Sequence, residues 1–325
     1  MITFLVRRLY QSVVVLLIMS LLVFVGVYAV GSPIEIYRSP GMSQEQIEAT
    51  IRSLGLDRPI WEQYFIFLGS ALKGQLGYSF TFNEPALKVI FDRFPATLEL
   101  ALAAIVIAIV IGLPLGLWAG VRPRSTIDRV IMTGSILGFS LPSFWVGLMM
   151  IILFSIELGL LPTFGRGETV LVFGVPVSVL TWDGLKHIIM PAFNLSLAIM
   201  GLIIRLTRTG VREHLQLDYI KFARAKGLSS RRIVFVHLLK NILIPIITVG
   251  GLWFGALIAF AVVTERVFAW PGMGKLLIDS MGVLDRPVIV AYLMFTVVIF
   301  VSVNVVVDIL YGVLDPRIRL AEVDR

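Results

Sequence analysis

The stretch from Asp218 to Pro245 reads DYIKFARAKGLSSRRIVFVHLLKNILIP. It is the most basic segment of the chain, and it stands between two long apolar runs. It contains no metal-ligand spacing and no nucleophile beside a base. Ala223, Ala225 and Gly227 fit a short helix, a glycine turn and a second helix, which together make a compact knob. Gly227 is where the backbone can take the positive φ that ends a helix. What the knob does is set by its flanks.

Those flanks are hydrocarbon. Of the 325 residues, 58% are hydrophobic and 15% charged, and the mean hydropathy is +0.92. Soluble domains carry about 25% charged residues, so the chain falls outside that class. Leu9–Val30, Leu98–Ala119, Val130–Ile156, Ile188–Ile204, Ile242–Val263 and Val288–Val313 each come near the roughly twenty apolar residues that cross a bilayer. The expected fold is an all-α polytopic membrane protein of six transmembrane helices. Pro114 and Pro142 should kink the second and third spans.

Charge sets the expected orientation. Arg7 and Arg8 precede the first span, and Arg122, Arg124 and Arg129 separate the second from the third. Between the fourth and fifth, nine cations from Arg205 to Lys240 face only Glu213 and Asp218. The positive-inside rule makes these regions cytoplasmic, and with them both termini. The net charge of +7 and the pI near 9.8 are then topology signals first. The expected division is an N-terminal segment with the first span at 1–31 and an extracytoplasmic segment of short helices at 32–94. A transmembrane core follows at 95–313, with its cytoplasmic loop at 209–240 and a cytoplasmic tail at 314–325. The Arg pair and apolar run resemble a signal peptide, but the run is long and lacks a clear small-residue cleavage site, so a retained helix is expected.

Local patterns fill in the loops. Ser43 and Gln46 make a capping box, predicting a helix to about Leu54 that stops at Gly55. Leu171–Leu180 alternates like a short strand or hairpin. Arg266–Arg286 should hold a short amphipathic helix after its Pro-Gly turn. Within the spans Gly112, Gly116 and Gly120 fall four apart, as do Gly134 with Gly138 and Gly251 with Gly255. Such spacing lets helix backbones approach closely in lipid, either within one bundle or against a second membrane subunit.

Several chemistries are missing. There is no cysteine, hence no disulfide framework and no thiol nucleophile. No G-x-x-x-x-G-K-[ST] phosphate loop occurs, so ATP is not bound here in that way. His187, His214 and His237 form no H-E-x-x-H pair, and no metal site or catalytic residue is expected. The ionisable groups near the spans are Glu99, Glu265 and Asp308, each toward a helix end; Glu265 is the candidate for a pathway mouth. Without midplane carboxylates an ion-coupled secondary carrier is the remote alternative, and an intramembrane enzyme lacks its catalytic groups.

In this setting the opening stretch resembles the loop of binding-protein-dependent ABC importer permeases that docks on the ATPase subunits. It is most similar to the dipeptide/oligopeptide branch, whose loop runs D-Y-I-x-x-A-R-A-K-G-L-x-x-R-R. Asp218-Tyr219-Ile220, Ala223 through Leu228 and Arg231-Arg232 match it. Of the general E-A-A-x-x-x-G pattern, Lys221 and Phe222 replace the Glu and first Ala, while Ala223 and Gly227 are kept. LGLDRPIWEQY at Leu54–Tyr64, PATLELALAA at Pro95–Ala104, FAWPGMGKLL at Phe268–Leu277 and VVDILYGVLDPRIR at Val306–Arg319 resemble the same branch, so the similarity spans nearly the whole chain.

The resemblance implies a type I ABC importer permease fold and half of a translocation pathway for di- or oligopeptides. It assigns ATPase coupling to Asp218, Tyr219, Ala223, Arg224, Ala225, Lys226, Gly227 and Leu228. The implied partners are a second, related permease in a heterodimer, two ATPase subunits that carry ATP and Mg, and an extracytoplasmic binding protein. The implied location is a bacterial inner membrane. Relatives in this branch also handle nickel, glutathione and some oligosaccharides, which leaves the cargo open.

Overall fold

The computed structural model describes residues 2–30, 43–53 and 57–314. The expected helix stop at Gly55, the first part of the extracytoplasmic segment, the tail from 315 and the Asp308 side chain lie outside the described residues. Helix α1 (Ile2–Val30) is followed by α2 (Gln44–Ser53), α3 (Ile60–Leu72) and a minimal hairpin of β1 (Tyr78–Ser79) and β2 (Glu84–Pro85). Then come α4 (Ala86–Val121), α5 (Thr126–Ser140) and α6 (Ser143–Met150), the last continued by π-helical turns over Ile151–Glu157. A second hairpin, β3 (Val170–Val172) and β4 (Val175–Val177), leads into α7 (Trp182–His214). Helix α8 (Asp218–Ala225) and a turn precede α9 (Ser230–Arg232), which runs through the π-helical Ile233–Leu238 into α10 (Leu239–Val267). Helices α11 (Met273–Gly282) and α12 (Arg286–Leu314) complete the described chain.

Among the described residues α1, α4, α7, α10 and α12 are long and apolar enough to cross a membrane, and α5 with α6 is a sixth candidate bent by 107°. The third expected span is therefore two helices and not one kinked rod. The cause is local: Pro142 donates no hydrogen bond and drives Leu141 to an extended conformation, φ −76° and ψ 138°. Pro114, by contrast, stays inside the unbroken α4.

The helices also overrun the apolar runs that revealed them. Helix α4 starts at Ala86 and has 36 residues, about 54 Å at 1.5 Å per residue, against roughly 30 Å of hydrocarbon. Hydropathy marks only the lipid-embedded part, and the polar first turns of α4 project beyond it.

Glycine spacing fixes how α4 and α7 pack. A Cβ on Gly112 would meet Ile203 at 3.2 Å, one on Gly116 would meet Thr207 at 2.5 Å, and one on Gly120 would meet Val211 at 2.5 Å. Each step of four along α4 is matched by a step of four in the same direction along α7, so the two helices run parallel with their backbones nearly touching. The intervening α5–α6 segment must then carry the chain back to the opposite end. Gly251 against Val307 and Gly255 against Phe300 make the corresponding antiparallel contact of α10 with α12. Gly138 lies only in ordinary contact with Leu197, and Gly134 faces open space. The main core joins α4, α7, α10 and α12 through Leu100, Ile199, Leu257 and Tyr292.

Smaller elements follow their local signals. Ser43 and Gln46 form the reciprocal cap, with the Ser43 amide donating to Oε1 at 2.9 Å and the Gln46 amide to Oγ at 3.3 Å. Helix α3 leans on α1 through Tyr64, whose ring lies 5.5 Å edge-on from Phe24 and whose hydroxyl is 2.9 Å from Ser20 Oγ. The β3–β4 turn, Phe173-Gly174, has φ of 49° and 81°, the geometry of a two-residue type I′ hairpin.

Candidate functional site: the knob, its anchor and the opposite end

Helix α8 ends in a Schellman motif. The Leu228 amide donates to Ala223 O at 3.2 Å and the Gly227 amide to Arg224 O at 2.9 Å, with Gly227 at φ 75°. Ser229 then caps α9 by accepting from the Arg232 amide. The helix–turn–helix is present, and its second limb is the continuous start of the fifth span.

The knob has its own core. Ile220, Ala223 and Ile233 are buried, with Leu215 and Leu228 packed against them. Ala223 is thus small because Ile233 and Leu228 close over it, and its methyl points into the knob. The outward surface is made by Asp218, Lys221, Phe222, Arg224, Ala225 and Lys226, all exposed. Phe222 is 62% exposed, and Lys226 Nζ lies 4.5 Å over its ring. Lys221 donates to Asp218 at 2.8 Å and holds that carboxyl below its ordinary range. Tyr219 fastens the knob to its neighbours, its hydroxyl 2.9 Å from His214 Nδ1 and accepting from Asn241 Nδ2 at 3.3 Å.

One anchor went unnoticed in the sequence. Asp128, on the first turn of α5, has a side chain only 4% exposed. Its Oδ1 accepts from Arg208 Nε at 2.6 Å, and its Oδ2 accepts from Arg208 Nη2 at 3.1 Å, Arg212 Nη2 at 2.7 Å and the Arg124 amide at 3.0 Å. Two of the cations that signalled orientation are therefore also the partners of a buried carboxylate. The one detectable signal was an acid standing alone among Arg122, Arg124 and Arg129.

At the other end of the bundle, two of the sequence motifs meet. Glu265 is fully buried. It accepts from Thr97 Oγ1 at 2.7 Å and from the Lys275 amide at 2.9 Å, and its carboxylate fills the space beside Gly272 where any Cβ would collide. Thr97 Oγ1 in turn accepts from the Met273 amide at 2.8 Å, and Trp270 Nε1 donates to Ala96 O at 2.8 Å. Glu265 therefore sits at the N-terminus of α11 as a capping carboxyl, accepting an amide that has no partner within the helix. Glu99 is pinned likewise, by Arg166 Nε at 3.0 Å and by the amides of Ser178 and Val179 at 2.6 and 2.8 Å, which ties the β3–β4 hairpin to α4.

Between these ends lies a cleft of about 350 Å³, walled by Phe139 of α5, Leu141 at the break, Ser143 and Val146 of α6, Asn194 and Ala198 of α7, and Trp253 and Phe260 of α10. It lies beside the 107° bend, lined by residues on both sides of the break. Its lining is apolar and aromatic, with few polar groups.

Comparison with known proteins agrees with this architecture. Residues 112–320 match the family described as binding-protein-dependent transport system inner membrane component, and residues 1–101 match the N-terminal membrane component of such systems. The chain is 39% identical to the di/tripeptide transport system permease protein DppB of Pseudomonas aeruginosa, over 98% of this chain and 99% of the relative. It is 38% identical to the oligopeptide transport system permease protein AppB of Bacillus subtilis, over 98% and 100%, and 36% identical to the glutathione transport system permease protein GsiC of Escherichia coli, over 98% and 99%. A chain from inward-facing structures of the MetNI methionine ABC transporter superposes with a TM-score of 0.54 at 18% identity, covering 71% of this chain and 99% of that one. The shared fold is that of a type I ABC importer permease. The chain belongs to the family of inner membrane components of binding-protein-dependent transport systems.

Proposed function

We propose that the chain is one transmembrane half of an ATP-driven importer of di- and oligopeptides, paired with a second, related permease in a bacterial inner membrane. The near-full-length identity to two peptide permeases carries this reading. The α8 end faces the cytoplasm, where two ATPase subunits bind and hydrolyse ATP-Mg. A binding protein delivers peptide at the hairpin end. The chain itself performs no covalent chemistry: it lines the route and transmits movement.

The knob geometry supports this division of labour. Its core is self-contained, and its exposed Phe222, flanked by Arg224 and Lys226, offers an aromatic anchor with a cationic rim, as an apolar interface centre with a polar edge requires. ATP-driven closure of the partner subunits displaces the knob, tilts α7 and α10, and changes the side to which the cleft opens.

Identity to a glutathione permease keeps that tripeptide as a second cargo. The test is uptake by proteoliposomes holding the full importer and its binding protein. Expected is ATP-dependent accumulation of labelled dipeptide or oligopeptide. Accumulation of glutathione alone would shift the cargo, and accumulation driven by an ion gradient without ATP would overturn the reading.

A further inference from the structure

The Asp128 cluster lies on a physical path from the knob to the cleft. Only residues 215–217 separate α7 from α8, and they form a tight turn in which the amides of Leu215, Gln216 and Leu217 donate to Val211, Glu213 and His214. The Tyr219–His214 contact closes that turn. Displacement of α8 therefore reaches Arg212 and Arg208 with little slack. Both of them grip Asp128, at the start of α5.

Helices α5 and α7 touch at a second point, where a Cβ on Gly201 would stand 2.8 Å from Ser135 O. Going from Asp128 to Ser135 is seven residues forward on α5, and from Arg208 to Gly201 seven residues back on α7, so the two helices lie antiparallel in fixed register. The Gly201 contact is close backbone packing, shaped by the missing side chain. The two-pronged Arg208 fork, reinforced by Arg212, is directional and resists sliding. At its far end α5 carries Phe139 into the cleft and stops at the Leu141-Pro142 break, where Leu141 also lines it. A helix held at one end and hinged at the other moves as a lever.

We propose that Asp128 is a positioning residue that locks α5 to the end of α7, so that displacement of the knob reshapes the cleft wall. This inference rests on the knob being the site of ATPase docking. Asp128 touches neither cargo nor nucleotide; it acts through Arg208 and Arg212.

The test has two arms, with Asp128→Asn compared with the conservative Asp128→Glu and with Arg208→Lys, which keeps the charge and loses the fork. In the purified permease, amide hydrogen exchange of α5 is expected to rise about fivefold in Asp128→Asn, with α8 unchanged, and to stay near wild type in Asp128→Glu. In the assembled importer, ATPase co-purification and binding-protein-stimulated hydrolysis are expected to persist while peptide moved per ATP falls about fivefold. Unchanged α5 exchange overturns the lock. Raised exchange with unchanged transport per ATP, or hydrolysis and transport falling in proportion, overturns its transmitting role. If Asp128→Asn does not accumulate, Arg208→Lys decides on the same readouts, with losses of about two- to threefold expected. A wild-type importer that moves no peptide counts against the proposed function, while the exchange arm still decides the lock.

Discussion

Thr97 Oγ1 stands 2.7 Å from Glu265 Oε1 although 168 residues separate them. The same hydroxyl accepts the Met273 amide, so one threonine joins α4 to both α10 and α11. Two short motifs far apart in the sequence, PATLEL and FAWPGMGK, are the two halves of a single joint. Thr97→Val keeps the volume and removes the hydroxyl, leaving the Met273 amide and one carboxylate oxygen without a partner. The expected cost is about 1–3 kcal/mol for each group left unpaired. Thermal unfolding of the purified protein in detergent should show a lower midpoint, and an unchanged midpoint would mean the joint contributes nothing.

Glycine placement gives a paired prediction. A side chain at Gly116 collides with Thr207 Cβ at 2.5 Å and with the Ile204 carbonyl at 2.8 Å, and backbone cannot step aside. Gly116→Val should separate α4 from α7 and destabilise by about 1–3 kcal/mol or more, seen as reduced permease in the membrane. Gly134→Ala meets nothing within 4 Å and should leave abundance and thermal midpoint unchanged in the isolated chain. Loss of pairing with the proposed second permease in Gly134→Ala would mark that face as intersubunit.

The sequence disclosed the features that depend on near neighbours. The capping box at Ser43, the strand or hairpin read in Leu171–Leu180, α11 after its Pro-Gly turn and the positive φ of Gly227 all follow from a few adjacent residues, and all are present, the second as a hairpin turning at Phe173-Gly174. Features made by distant residues were hidden. Arg208 and Arg212 count equally toward charge asymmetry whether they face lipid or a carboxylate 80 residues away, so Asp128 carried no visible weight. Hydropathy averaged over Val130–Ile156 passes smoothly across Pro142, and the 107° bend is lost in the average. Ala223 reads as small, and only the tertiary fold shows that it is small inward.

Absence of cysteine makes topology directly measurable. Ser229 and Phe173 are both exposed and belong to opposite ends of the bundle. Arg166, on the same end as Phe173, is a poor probe because its guanidinium is buried against Glu99. With the α8 end inside, Phe173→Cys should react with an impermeant maleimide in intact cells, and Ser229→Cys only after permeabilisation. Labelling of Ser229→Cys from outside would invert the proposed orientation.

The knob separates surface from core. Phe222→Ser changes an exposed side chain outside the knob's core and gives up the Lys226 contact, so the thermal midpoint should move by no more than about 0.5 kcal/mol equivalent. Co-purification of the ATPase subunits should nevertheless fall, because truncating a central apolar anchor commonly costs 2 kcal/mol or more, roughly thirtyfold in affinity. Ala223→Asp acts differently. It buries a carboxylate among Ile220, Ile233 and Leu228, so loss of ATPase binding should come with a disordered knob and faster proteolysis near Gly227. Gly227→Val forces a β-branched residue to φ 75° and should strain the turn by about 1–3 kcal/mol. Lys221→Ala, at the exposed edge beside Asp218, should change little. Membrane abundance of each variant is the control. If Phe222→Ser binds the ATPases as wild type does while Ala223→Asp does not, the contact is made by the fold of the knob and not by its outward aromatic face.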